Sequence, residues 1–185
     1  MTRLLHEKLA DGRMQGGVVR FPLRFTSSCM RAHFNPKDGQ LYVAGLSEWQ
    51  SNAGRVTGFD RVRYTGKPVY SVKGMKVVKE GVELTFTQPL DKASAADVQN
   101  FSGKRWNYER AEHYGSPEFS VADPKKHGRD PITITKSELS GDGKTLKLAI
   151  ADFKPVMQEA IKFKLKAQDG TTIAQEIQHT VHAVP

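Results

Sequence analysis

A chain of 185 residues is long enough for one large domain, or for one full domain plus a piece of another. Hydrophobic residues make up only 38%, and the 16 glycines and 9 prolines favour a turn-rich β protein over a helical one. Lys and Arg outnumber Asp and Glu by 28 to 20, a formal charge of +8; the single cysteine, Cys29, excludes an intramolecular disulfide, and no apolar run approaches the roughly 18 residues of a membrane-spanning helix.

Residues 1–17 read as an N-terminal arm, with Leu4, Leu5 and Leu9 allowing one or two helical turns before Gly12 and the Gly16-Gly17 pair end them. No apolar stretch of the kind found in signal peptides occurs there. Residues 18–66 read as a small β-strand module. Val18–Phe25 alternates Val19, Phe21, Leu23 and Phe25 with Arg20, Pro22 and Arg24, and Pro22 places that strand at an edge or bulge. A strand within Cys29–Phe34, the tight turn Asn35-Pro36-Lys37-Asp38-Gly39 and the return strand Leu41–Ala44 make a hairpin. A polar loop, Ser47–Gly58, leads to a strand at Phe59–Tyr64. This module holds too little apolar material for a core of its own and needs a partner sheet.

Residues 67–185 read as an Ig-like antiparallel β-sandwich. Met75–Val78 and Val82–Phe86 form a hairpin, Ser94 is a candidate helix cap in the connection that follows, and Phe101–Tyr108 is the next strand. A long polar insertion fills 109–131, and loops of that length are usually functional or mobile. After the strand Ile132–Leu139 comes the clearest signal in the chain. Leu146, Leu148 and Ile150 alternate with polar or small residues, and Ile161, Phe163, Leu165 and Ala167 alternate with Lys162, Lys164 and Lys166. A period of two puts the apolar side chains on one face and the lysines in water, where they also discourage edge-to-edge pairing. Thr172–Val184 closes the domain. About seven strands from Lys73 onward, with turns every eight to twelve residues, is the rhythm of an antiparallel sandwich.

The chemistry-bearing residues are scattered. Cys29, Met30 and His33 are types that bind soft metals, but a buried Cys and Met beside a surface His is the simpler reading. His113, Asp123, His127 and Asp130 in the insertion match no metal-ligand spacing, so neither a metal nor a cofactor is expected. The aromatics Tyr114 and Phe119 offer faces for sugar rings, whereas Trp106 and Tyr108 read as packing residues. A possible ligand surface therefore draws on Trp49, Arg61, Arg63, His113, Tyr114, Phe119 and His127. The run Arg61-Val62-Arg63-Tyr64 is too short for a nucleic-acid site. No phosphate loop, nucleophile elbow or zinc-protease motif occurs, and no catalytic residue is assigned.

Two stretches carry a resemblance. FNPKDGQLYVAGL, Trp49-Gln50-Ser51-Asn52 and GFDRVRYTGKP, between Phe34 and Pro68, resemble the last blade of the sugar-dehydrogenase-like β-propellers in large secreted multidomain proteins of planctomycetes and verrucomicrobia, which often carry c-type haem domains. VELTFTQPLDKASAADVQNF, ELSGDGKTLKLAIADFKP and IKFKLKAQDG, between Val82 and Gly170, resemble bacterial Ig-like domains appended to secreted enzymes. With YGSPEFSVADPKKHGRD, the chain from about Val18 looks like the C-terminal region of such proteins. The resemblance implies a periplasmic or extracellular location, neighbouring domains of a larger protein as partners, and catalytic and cofactor residues on earlier blades, none of which can be carried onto this chain. No Cys-x-x-Cys-His is present, so no covalent haem is expected. The expected function is a non-catalytic accessory or interaction module. The alternatives are the tail of a sugar-oxidising propeller enzyme and a carbohydrate-binding module using the 109–131 loop.

Overall fold

The structure, a computed structural model, describes residues 2–21, 23–47, 54–112 and 114–185. The strands in chain order are β1 (Thr2–Lys8), β2 (Met14–Arg20), β3 (Arg31–Phe34), β4 (Leu41–Leu46), β5 (Thr57–Val62), β6 (Val72–Val78), β7 (Gly81–Phe86), β8 (Phe101–Tyr108), β9 (Glu118–Phe119), β10 (Asp130–Ile132), β11 (Ile134–Leu139), β12 (Thr145–Ile150), β13 (Val156–Lys166) and β14 (Thr172–Val181). A short helix, α1 (Lys92–Ala96), and a single 3-10 turn, Val98–Asn100, capped by Asp97, interrupt them. The fold is all-β, and every strand pairing among the described residues is antiparallel. The chain forms two compact units, Phe21–Pro68 and a larger one made of Thr2–Arg20 with Val69–Pro185.

The larger unit is a two-sheet sandwich. One sheet runs β11-β12-β7-β6, and the other runs β1-β2-β14-β13-β8-β10, with β9 also pairing β8. Taking β6 as the first strand, β6-β7-β12-β11 and β8-β13-β14 reproduce the ABED and CFG sheets of an immunoglobulin constant-type domain. The period-two segments drive this arrangement. Leu146, Leu148 and Ile150 of β12 face Ile161, Phe163 and Leu165 of β13 across the core, all buried. The Phe86 and Phe163 rings meet edge to face at 5.7 Å and tie the two sheets together. Gly143, at φ +71°, supplies the left-handed position of the tight Asp142-Gly143 turn that feeds β12.

The N-terminal residues depart from expectation. Instead of an arm over 1–17, Thr2–Lys8 and Met14–Arg20 form a hairpin in register from Thr2↔Arg20 to Lys8↔Met14. β2 then pairs with β14, from Gly16↔Thr180 to Val19↔Ile177. Leu5 and Val19 are buried in the core, and the Gln15 side-chain carbonyl accepts from the amides of His182 and Ala183 at 2.9 and 3.1 Å. Gly16 and Gly17 do not end a helix. They let the strands approach: a Cβ on Gly16 would lie 2.1 Å from the Leu5 carbonyl oxygen, and one on Gly17 would lie 2.3 Å from that of Gln178. The apolar alternation of Val18–Phe25 is cut short, because the strand stops at Arg20, and Pro22 lies outside the described residues. The helix cap is Asp91, whose carboxylate accepts from Ser94 N at 2.8 Å, while the Ser94 hydroxyl accepts from Lys166 N.

The smaller unit is a three-stranded meander, β3-β4-β5. His33, Tyr42 and Arg61 are cross-strand neighbours, and the Tyr42 and Phe59 rings stack at 5.7 Å. Cys29 and Met30 are exposed, correcting their expected burial: they precede β3 and stand outside its paired register.

Candidate functional site

The outward face of the long sheet gathers most of the polar chemistry. On β13 the outward positions are Gln158, Ala160, Lys162, Lys164 and Lys166, because Glu159, Ile161, Phe163 and Leu165 point inward. Trp106 of β8 sits beside Gln158, and Gln158 donates to the Thr180 hydroxyl on β14 at 3.4 Å. Thr180 is opposite Gly16, which is opposite His6. Around this row lies an open trough of about 540 Å³, lined by Leu4, His6, Met14, Gln178, Thr180 and His182 among others.

At one end of this face the described part of the 109–131 insertion is folded onto β8. β9 pairs with the end of β8, and β10 pairs with its middle. Phe119 and His127 pack with their rings tilted by 32° and centroids 4.5 Å apart. The Arg129 guanidinium lies 3.8 Å from the centre of the Trp106 ring and donates two bonds to the Glu118 carboxylate, at 2.6 and 2.5 Å. Those bonds hold Glu118 below the usual carboxylate range and raise Arg129 above its ordinary value. Trp106 is thereby reduced to 6% exposure.

The Asp130 carboxylate anchors the insertion by accepting from the amides of Val121 and Ala122, at 2.6 and 2.9 Å. Burial works against its charge, but these amides, the Ser120 hydroxyl and the Arg105 charge outweigh burial, and Asp130 ionises below the usual aspartate range. Both Asp130 and Glu118 thus bind protons less readily folded than unfolded. Their stabilisation is complete above the unfolded values, near pH 4, and is lost as the pH falls through the lower folded values. The Asp130→Asn variant should therefore lose less stability than the wild type between pH 6 and pH 3, measured by urea unfolding. Equal losses would mean that these hydrogen bonds contribute nothing.

A second polar cluster is enclosed. Along one cross-strand row lie Gly17, His179, Glu159 and Arg105. The Glu159 and His179 side chains are fully enclosed, with His179 Nε2 3.2 Å from Glu159 Oε1 but outside hydrogen-bond geometry. Arg105 reaches Asp152 instead, donating to its backbone carbonyl at 2.7 Å and its carboxylate at 2.9 Å. Asp152 takes a left-handed conformation, φ 50°, and its carboxyl is held below the usual range first by Lys154 and then by Arg105.

Of the residues expected at a ligand surface, Phe119 and His127 come together. Tyr114 stands apart at 99% exposure. Arg61 and Arg63 are exposed in the smaller unit, and among the described residues neither joins an ion pair within 4 Å. Trp49 and His113 lie outside the described residues. Sequence reasoning missed Arg129 as the cover of Trp106, and it missed the trough, whose only signal was the glycine pair. Among the described residues no three His, Cys, Asp or Glu side chains cluster as metal ligands, and no helix is long and apolar enough to cross a membrane. Compared with protein-family models, with curated proteins and with solved structures, the chain matches none.

Proposed function

We propose that this chain is a non-catalytic accessory region of a larger exported protein, in which the Phe21–Pro68 sheet is covered by a further sheet. The observation that carries this reading is the surface of that unit. Among its described residues Val43, at 1% exposure, is the only fully buried hydrophobic side chain, whereas Phe34, Phe59 and Tyr64 are 66%, 72% and 83% exposed. A three-stranded sheet with so little buried and so much aromatic surface in water is marginal by itself. It calls for another layer, and a neighbouring blade supplies one. The resemblance of Phe34–Pro68 to a terminal propeller blade supports the same reading, and it is also the support for export. The sandwich, with its own closed core, then serves as the stable module beside that assembly.

The test is the mass of the native protein in its source cells, read by immunoblot against this chain. A band far above 20.6 kDa is expected. A band at 20.6 kDa with no exported precursor would overturn the reading.

A further inference from the structure

Lysine at an outward strand position usually needs no explanation beyond solvation or protection of a sheet edge. The row Lys162, Lys164 and Lys166 protects no sheet edge. β13 is an interior strand, bonded to β14 on one side and β8 on the other. The three ammonium groups project from one strand at a repeat of about 7 Å. Their cross-strand neighbours are mostly neutral: Ser102 and Glu176 beside Lys162, Ala174 beside Lys164, and Thr172 beside Lys166. Lys104 and Arg20 share the face, and Lys8 stands at its edge. Glu176 pairs with Lys162 at 3.3 Å and also accepts from Gln178 at 2.6 Å, and Glu118 of β9, on the same face, is paired with Arg129. Asp91 and Asp97 border Lys164 and Lys166 at the far end, each accepting from an amide at a helix start. Among the described residues Lys104, Lys164 and Lys166 join no ion pair within 4 Å. Cations so placed repel one another, and an anionic partner relieves that repulsion.

The same face decides which anion. Followed back along β13, the lysine row leads to Gln158 and the trough, a line of about 26 Å from residue 158 to residue 166. The trough offers amides, a hydroxyl and imidazoles from Gln158, Gln178, Thr180, His6 and His182, beside the apolar Leu4 and Met14. A ligand rich in hydroxyl groups at one end and in acid groups at the other matches both halves. Single-stranded nucleic acid needs open aromatic faces for its bases, and Trp106 is closed by Arg129. Gln158 donates to Thr180, Thr180 to the Met157 carbonyl and Gln178 to Glu176, and a lipid surface would use the cations but not the His6 and His182 imidazoles beside them.

We propose that this face binds a linear acidic polysaccharide, with its carboxylates on Lys162, Lys164 and Lys166 and its hydroxyl groups over Gln158, Gln178 and Thr180. The inference is independent of what covers the smaller unit. It also moves carbohydrate binding from the 109–131 loop to the sheet.

The experiment is titration calorimetry of the full chain with polygalacturonate at low salt. Neutral dextran, an oligo-dT strand and phosphatidylglycerol vesicles serve as comparators. The triple variant Lys162→Gln, Lys164→Gln, Lys166→Gln should weaken polygalacturonate binding at least about tenfold, whereas the charge-matched Lys37→Gln, Lys79→Gln, Lys125→Gln should change it less than about twofold. Gln178→Ala should cost a further few-fold, and added salt should weaken the wild type. Equal losses in the two triple variants would reduce the effect to net charge and overturn the site. So would absence of wild-type binding, or tighter binding of the dextran, the oligonucleotide or the vesicles than of polygalacturonate.

Discussion

Replacing His179 with leucine while Glu159 stays is expected to destabilise the sandwich by about 3–5 kcal/mol, because it leaves a carboxyl group fully enclosed without its partner. Glu159→Leu alone should be costly in the same way. The informative result is the pair. With Glu159→Leu and His179→Leu together, neither enclosed polar side chain remains to be orphaned, and the chain should recover most of the loss or exceed wild-type stability. The Gly17 position opposite His179 leaves little space, so overpacking sets a limit on that recovery of about 1–3 kcal/mol. Urea unfolding of the four proteins gives the coupling energy directly. Additive losses would show that the two groups do not depend on each other.

Truncation to residues 21–185 should be as damaging. It removes the buried Leu5 and Val19, together worth about 3–6 kcal/mol at the usual value for each fully buried aliphatic side chain. It also removes the Gln15 acceptor of two backbone amides and the Glu7 carboxylate that accepts from Val77 N at 3.2 Å. β14 then becomes an open edge next to β13, so self-association should accompany the fall in melting temperature. Calorimetry with size-exclusion chromatography checks both. A monomer melting at the wild-type temperature would mean that the hairpin merely decorates the sheet.

What the sequence disclosed and what it hid have physical causes. The β12 and β13 segments were legible because their period of two coincides with strong burial on one face. β1 and β2 were not, since His6, Glu7 and Lys8 and the Gly16-Gly17 pair carry little intrinsic preference for strands. What makes them strands is pairing with β14, more than 150 residues away in the chain. Glu159 left a usable trace, because it falls in the inward phase of Ile161, Phe163 and Leu165. His179 does the same with Ile173, Ile177 and Val181. A charged or titratable side chain in the apolar phase of a strand is, by its position alone, the mark of a buried polar group. The lysine row was equally plain, but its meaning depends on whether β13 is an edge or an interior strand, and sheet order is a tertiary property. Arg129 closing over Trp106 had no local signal, since the two are joined only through the fold of the insertion.

The placement of β2 against β14 has a consequence for biosynthesis. As the chain leaves the ribosome, the hairpin of residues 2–20 emerges long before the strand that it must dock on. Until residue 181 is made, Leu5 and Val19 have no β14 beside them, so the hairpin is the natural early client of a chaperone. The wait also makes closure of the sheet a long-range step, which predicts slow folding for a domain of this size. In return, the segment between the two contacts is a loop whose length matters little to the closed state, since closure entropy grows only with the logarithm of loop size. A lineage could lengthen or shorten residues 21–68 with little loss of sandwich stability. A protease that cut there would leave both halves bound to each other through the sheet.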